Sequence, residues 1–173
     1  MLGHGHVDHR GAAPALGAPV FCHADDKEDA EGDAGRHYMD FGKLRPYARP
    51  LYPQFFKLWD GGPVTISGTV AEGDDVAGFK VVSIPGHAPG QIALYRERDG
   101  VALSTDCFYT LDVQTGLHGP PRVALDAFNL DTEQARASIR KLAAIGPSVA
   151  WPGHAGPVTG DVAAQLERAA AET

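Results

Sequence analysis

The segment His4-Gly5-His6-Val7-Asp8-His9 packs four side chains able to ligate a metal ion into six positions. In an extended segment, side chains two apart point the same way, so His4, His6 and Asp8 are expected on one side and His9 on the other. One short stretch can then feed two adjacent ions. Neutral imidazole nitrogens and a carboxylate oxygen are ligands that zinc takes, and a catalytic zinc keeps one position open for water. A chance histidine-rich start or a purification tag is the bland alternative. A tag would be a contiguous run, however, and matching ligand types recur downstream.

They recur in Pro85-Gly86-His87-Ala88-Pro89-Gly90, in Ser104-Thr105-Asp106-Cys107 and in Trp151-Pro152-Gly153-His154-Ala155-Gly156-Pro157. Each sets a ligand-type side chain in a turn after an apolar, strand-like run. Metal sites are built this way, from loop ends held by rigid strands. Cys107 stands beside Asp106, and because thiolates also bind zinc, either could serve there.

With these motifs the chain resembles the metallo-β-lactamase superfamily of metallohydrolases, from His4 to about Gly160. The resemblance implies an α/β fold, the αββα sandwich of that family. Family members carry several strands before the His-x-His-x-Asp-His segment, whereas only Met1, Leu2 and Gly3 precede it here. The expectation is a sandwich lacking the first strands of its N-terminal half, with His4 on a three-residue tail and an exposed sheet edge able to form a homodimer.

Two Zn2+ ions are likewise implied by the resemblance, with His4, His6 and His87 on the first, Asp8, His9 and His154 on the second, and Asp106, in preference to Cys107, bridging them. Thr105 stands where the family usually has glycine. The implied reaction is hydrolysis of an ester, lactone or thioester by a hydroxide bridging the metals, oriented by Asp8. Tyr109, three residues after Asp106, matches the N-acyl homoserine lactonases of the superfamily and is the candidate general acid, with a hydrogen-bonded wall residue as the alternative. His118, in the loop Thr115 to Pro120, is a further side chain that could reach the site, while His23 and His37 read as surface or cap residues.

The ligand set points to the glyoxalase II and lactonase-like branch. Flavodiiron oxygen reductases carry a glutamate where His6 stands; zinc β-lactamases usually have cysteine at the Asp106 position and lack a histidine matching His9. Glyoxalase II enzymes add a helical tail that helps bind glutathione, whereas this chain ends shortly after His154. The alternative to an enzyme is a truncated, catalytically incompetent member that only binds metal.

The elements that must position these residues can be read from periodicity. Gly11 to Leu16 and Ala24 to Ala30 read as short helices, and Pro19 to Cys22 as a buried strand. Val64 to Val70, Phe79 to Ile84, Gln91 to Glu97 and Val101 to Thr105 read as strands, the last two joined at Arg98-Asp99-Gly100. Asp131 is an N-cap with Gln134 three residues on, followed by an apolar stripe of Ala135, Ile139, Leu142 and Ala143 that stops at Gly146-Pro147. Ser148 to Trp151 is the strand delivering His154, and Asp161 to Ala171 a closing helix.

Residues 38 to 59 have a different texture, with Tyr38, Phe41, Tyr47, Tyr52, Phe55, Phe56 and Trp59 broken up by prolines. This segment is either an apolar cap over a pocket, fitting a small-molecule substrate with an acyl or aryl portion, or a satellite core under a long loop.

At 173 residues, 43% hydrophobic and 21% charged, the chain suits a single domain, 1–173. It has no apolar run of membrane-spanning length and no signal peptide, so no membrane partner and a cytoplasmic location are expected. Cys22 and Cys107, widely separated, read as free thiols. A net charge of -7, with 15 basic residues against 22 acidic ones, argues against a nucleic-acid substrate, whose phosphates are gripped by Lys and Arg. The acidic stretch Asp25 to Asp33 reads as a solvated helix face and loop rather than a cation site.

Overall fold

The structure, a computed structural model, describes residues 1–172. Its larger half is a mixed sheet on which two helices lie. Strands β4 (Phe79–Ser83), β5 (Ile92–Arg96) and β6 (Val101–Thr105) run antiparallel, β3 (Asp75–Val76) prolongs one edge, and β9 (Val149–Pro152) joins β6 in parallel, giving the order β3-β4-β5-β6-β9. A parallel neighbour requires a crossover, which helix α5 (Thr132–Ile145) supplies. Its N-cap forms as expected, with the Gln134 N–H donating to the Asp131 carboxylate at 3.0 Å, and Gly146 ends it in the left-handed conformation.

The stripe Ala135, Ile139, Leu142 and Ala143 is buried with Leu166 and Ala170 of helix α6 (Val162–Ala171) against Val82, Ala93, Ala102 and Ala150 of the sheet. Alternation along the strands sends the opposite set outward. Leu103 and Trp151, paired in register across β6 and β9, are 38% and 46% exposed.

The first half is smaller. Helices α1 (Val7–Arg10) and α2 (Ala13–Leu16) lead to strand β1 (Val20–His23), a single 3-10 turn and helix α3 (Lys27–Glu31); helix α4 (Tyr52–Trp59) precedes strand β2 (Ile66–Val70). β1 and β2 pair in parallel as a separate two-stranded sheet. Arg10, 1% exposed, locks α1 onto α3 by donating to the carbonyls of Ala30 (2.5 Å) and Gly32 (3.0 Å) and pairing with Asp60 (3.2 Å). These carbonyls belong to a helix end that lacks intrahelical partners; the guanidinium satisfies that of Gly32 and shares that of Ala30 with the Val64 N–H (3.3 Å).

Four expectations are corrected. Residues 1–3 are not a loose tail: the Leu2 N–H donates to Phe21 O (2.7 Å), the Ile92 N–H donates to Gly3 O (2.9 Å), and Leu2 is buried, so this stretch cross-links β1 to β5. The acidic stretch is not wholly solvated, since Asp26 is 0% and Asp29 5% exposed. The segment 115–120 is not a loop; strands β7 (Tyr109–Asp112) and β8 (Leu117–Arg122) form a hairpin that Pro120 and Pro121 disguise in the sequence. Finally, the metal-ligand segment is extended only to His6, where α1 begins. Among the described residues no helix is long and apolar enough to cross a membrane.

Candidate metal centre

The helical turn at Val7 decides how the first motif is shared out. His4 and His6 keep their extended spacing and meet His87, while Asp8 and His9, carried round by α1, meet Asp106 and His154; within each group the ligand atoms lie within 4.8 Å of one another. Asp8 therefore sides with His9, not with His4 and His6 as full extension of the segment requires.

The two groups are contiguous. The His4 ring centroid is 4.5 Å from His6, 5.0 Å from His87 and 4.1 Å from His9. Asp106 lies between them, its Oδ2 at 3.5 Å from His87 Nε2 and 3.2 Å from His154 Nε2, and its Oδ1 at 3.1 Å from His9 Nε2. His154 Nε2 also lies 3.0 Å from Asp8 Oδ2. Three of these ligands sit at strand ends or turns: Asp106 follows β6, His154 follows β9, and His87 lies between β4 and β5.

The turn after β6 has a cost. Thr105 has φ +45°, a left-handed conformation that disfavours a β-branched residue by about 1–2 kcal/mol. It is held there by the Gly153 N–H donating to Thr105 O at 2.7 Å. Gly153 itself cannot be larger, because a Cβ there would collide with Asp106 Oδ1 and stand 2.7 Å from His9 Cε1.

The electrostatics suit cation binding. Burial holds the pKa values of His4 and His6 well below the usual histidine value and that of His87 below it, leaving neutral ligands. Burial alone would raise Asp106, but its histidine neighbours, His9 foremost, keep it ionised well below the carboxylate range. Hydrogen bonds to Asp106 and then Asp8 lift His154 to about 10, so without a cation His154 is protonated and must release that proton to coordinate one. Neutral imidazole and ionised carboxylate are the forms that coordinate metal.

Unsatisfied atoms mark the same place. Among the described residues both nitrogens of His4 and Nε2 of His87 are buried without a hydrogen-bond partner, and Nε2 of His9 and Oδ1 of Asp106, 3.1 Å apart, have no partner but each other. Buried polar atoms without partners are rare because each costs about 1–3 kcal/mol, so such a concentration fits residues waiting for a cation.

Several supporting residues carry no signal in the sequence. Asn129 Oδ1 accepts from His87 Nδ1 at 2.9 Å and so turns His87 Nε2 toward Asp106. With its amide oriented to satisfy its surroundings, Gln91 accepts from the N–H groups of Asp106 (3.1 Å) and Cys107 (2.9 Å). Buried Asp26 accepts from Gly5 N (3.1 Å) and Gly90 N (2.7 Å), tying the His4 and His87 segments together. Tyr38 meets His6 Nε2 at 2.6 Å. A buried carboxylate clamp of this kind is invisible to periodicity, because its partners are backbone groups brought near only by folding.

Of the remaining expectations, Cys107 packs into the apolar core, where burial pushes its thiol far up, so Asp106 and not the thiol joins the ligand cluster. Cys22 is buried too, which lifts its thiol to about 11. His118 stands exposed on β8; it pairs with Leu111 of the cavity wall but does not itself line the cavity. Tyr109 donates to Asp106 Oδ2 at 2.9 Å, and burial, followed by the Asp106 charge, holds its phenol well above the ordinary value.

The ligands open onto a cavity of about 430 Å³. Asp8, His6, His87, Asp106, Tyr109 and His154 form its polar end, and Met39, Tyr52, Phe56, Trp59, Leu111, Val113 and Phe128 its apolar wall. Both readings of the aromatic segment are realised, since Tyr52 and Phe56 also build a satellite core with Leu44 and Phe128.

Comparisons with known proteins agree with this geometry. The sequence model of the metallo-beta-lactamase superfamily matches residues 2–154. The chain is 30% identical over 92% of its length to the probable metallo-hydrolase YflN of Bacillus subtilis (strain 168), spanning 65% of that protein. It thus spans less than two thirds of this relative's length. Among solved structures, the metallo-beta-lactamase family protein TTHA1429 from Thermus thermophilus superposes with TM-score 0.64 at 27% identity, over 95% of this chain and 56% of that one. TTHA1623, solved in a di-iron-bound form, superposes with TM-score 0.62 at 28% identity, over 96% and 72% of the two chains.

Proposed function

The chain belongs to the metallo-β-lactamase superfamily and has its α/β fold, and on that premise we propose that it is a dinuclear zinc hydrolase of an ester, lactone or thioester with an apolar portion. The observation that carries this reading is the opening of two contiguous ligand clusters, shared through Asp106, onto one cavity with an apolar wall. His4, His6 and His87 would hold one ion, Asp8, His9 and His154 the other, with Asp106 between. When bound, divalent ions supply Lewis acidity toward the carbonyl oxygen and lower the pKa of water toward neutrality.

The protein's own groups do the rest. Asp8 lines the cavity with an ionised carboxylate whose pKa stays below the ordinary value: burial opposes this, and the His154 hydrogen bond and His9 overcome it. It would accept a hydrogen bond from the attacking water and set its direction. Tyr109, whose Oη–H faces the same end, would pass its proton to the leaving oxygen or sulfur. Met39, Phe56 and Trp59 would hold the acyl or aryl portion out of water, which gives burial energy to hold the carbonyl at the polar end.

The test is turnover of an aryl ester, an N-acyl homoserine lactone and an acyl thioester by the purified chain, before and after chelation, with zinc or iron added back. The iron arm is included because TTHA1623 was solved with two irons. Hydrolysis of at least one substrate, lost on chelation and restored by metal, is expected. A metal-loaded protein inert toward all three would favour the reading of a metal-binding member without catalysis.

A further inference from the structure

His6 is 3% exposed, and its Nε2 lies 2.6 Å from the hydroxyl of Tyr38. A nitrogen engaged at that distance by a phenol has no room for a cation, so only Nδ1 of His6 can serve the cluster it forms with His4 and His87. For Nδ1 to offer its lone pair, Nε2 must carry the proton and the phenol oxygen must accept it. The phenol proton then needs an acceptor of its own.

The acceptor this arrangement implies is Asp29: no hydrogen bond joins it to Tyr38 in the structure, but it is 5% exposed, its Oδ1 faces His37 at 3.6 Å, its Oδ2 has no partner, and its charge bears on the phenol. The approach of Tyr38 depends on a residue without a side chain: Gly35 has φ +74°, and a Cβ there would collide with Tyr38 Oη and lie 2.9 Å from His6 Cδ2.

The geometry points to Tyr38 as a positioning residue that fixes His6 as the Nε2–H tautomer, with Asp29 behind it, in a carboxylate–phenol–imidazole chain that presents Nδ1 to the metal. This rests on the proposed role of His6 as a ligand. Partners that orient a metal-binding histidine typically change metal affinity by about 10- to 100-fold when removed.

Long-range 1H–15N correlation spectra of histidine-labelled, metal-free protein read the tautomer directly, with His6→Gln assigning the signal. Wild type is expected to show a single Nε2–H form, and Tyr38→Phe a mixed one. Competition with a chromogenic chelator should then show one of two zinc equivalents bound about 10- to 100-fold more weakly in Tyr38→Phe. Asp29→Asn is the second variant and is expected to shift the tautomer the same way. A wild-type His6 in the Nδ1–H or mixed form would overturn the inference whatever the variants do, as would a folded Tyr38→Phe with unchanged tautomer and affinity. If wild type shows the expected tautomer but binds no metal, the proposed function fails while the tautomer assignment stands.

Discussion

Asp106 touches both ligand groups, lying within 3.5 Å of His9, His87 and His154, so its loss should be felt at both positions. Asp106→Ala is expected to lower bound zinc from about two equivalents to below one, measured by mass spectrometry, whereas His87→Ala should spare the Asp8, His9 and His154 group. Wild type carrying no metal after zinc loading would remove the dinuclear reading. Tyr109→Phe is expected to lower kcat by about 100- to 10,000-fold with KM nearly unchanged, the pattern of a lost proton donor; a KM effect alone would leave Tyr109 as a wall residue. Asp26 makes a pH prediction. Burial, opposed by the donors of Gly90 and Gly5, lifts its carboxyl from 3.8 to about 7. The folded state therefore holds a proton that the unfolded state has released, and the group's contribution to stability is complete below about 4 and declines as pH rises to about 7. Asparagine cannot titrate, so the melting-temperature advantage of wild type over Asp26→Asn should be larger at pH 5 than at pH 8. An advantage independent of pH would mean that Asp26 is charged throughout that range.

At the scale of elements, α4 and the turn after β6 carry separable roles. Trp59 lines the cavity but is 41% exposed, so Trp59→Ala should leave melting within a few degrees of wild type while raising KM for long acyl or aryl substrates. Phe56, 6% exposed in the satellite core, differs: truncation to alanine should cost about 3–5 kcal/mol by denaturant unfolding. Thr105→Gly tests the strained turn. Relief of the positive φ should slow unfolding, offset by the greater freedom of glycine in the unfolded chain. The strands that carry His87, Asp106 and His154 were legible because their apolar runs end in turn residues. The β7–β8 hairpin was not, because prolines inside β8 remove the ladder donors by which a strand is recognised.

For the whole molecule, the expected sheet edges are partly covered. Ala150 of β9 exchanges hydrogen bonds with Val158 (2.8 and 3.1 Å), and Phe21 of β1 accepts from Leu2. What stays open is a face, where Leu103 and Trp151 stand side by side on the side of the sheet away from α5 and α6. Exposed apolar patches promote association, so this face is a second surface, beside a sheet edge, through which a homodimer is expected. Sedimentation of wild type against Trp151→Lys decides it. Wild type should shift toward a larger species with concentration and the variant should not; a monodisperse wild-type monomer would rule association out.

The candidate ligands were already legible in the sequence, because imidazole and carboxylate chemistry depends on residue type, and so was their delivery by strand ends, because apolar alternation is local. Tertiary structure alone decided the rest. That Asp8 joins His9 and not His4 depends on where α1 starts, a helix whose last residue, Arg10, is anchored on a carbonyl 20 residues away. That Asp106 and not Cys107 enters the site depends on which of two neighbours faces the core. Asn129, Gln91, Asp26 and Tyr38 act on the site through groups distant in the chain, and no local pattern can specify such partners, since only packing brings them within hydrogen-bonding range.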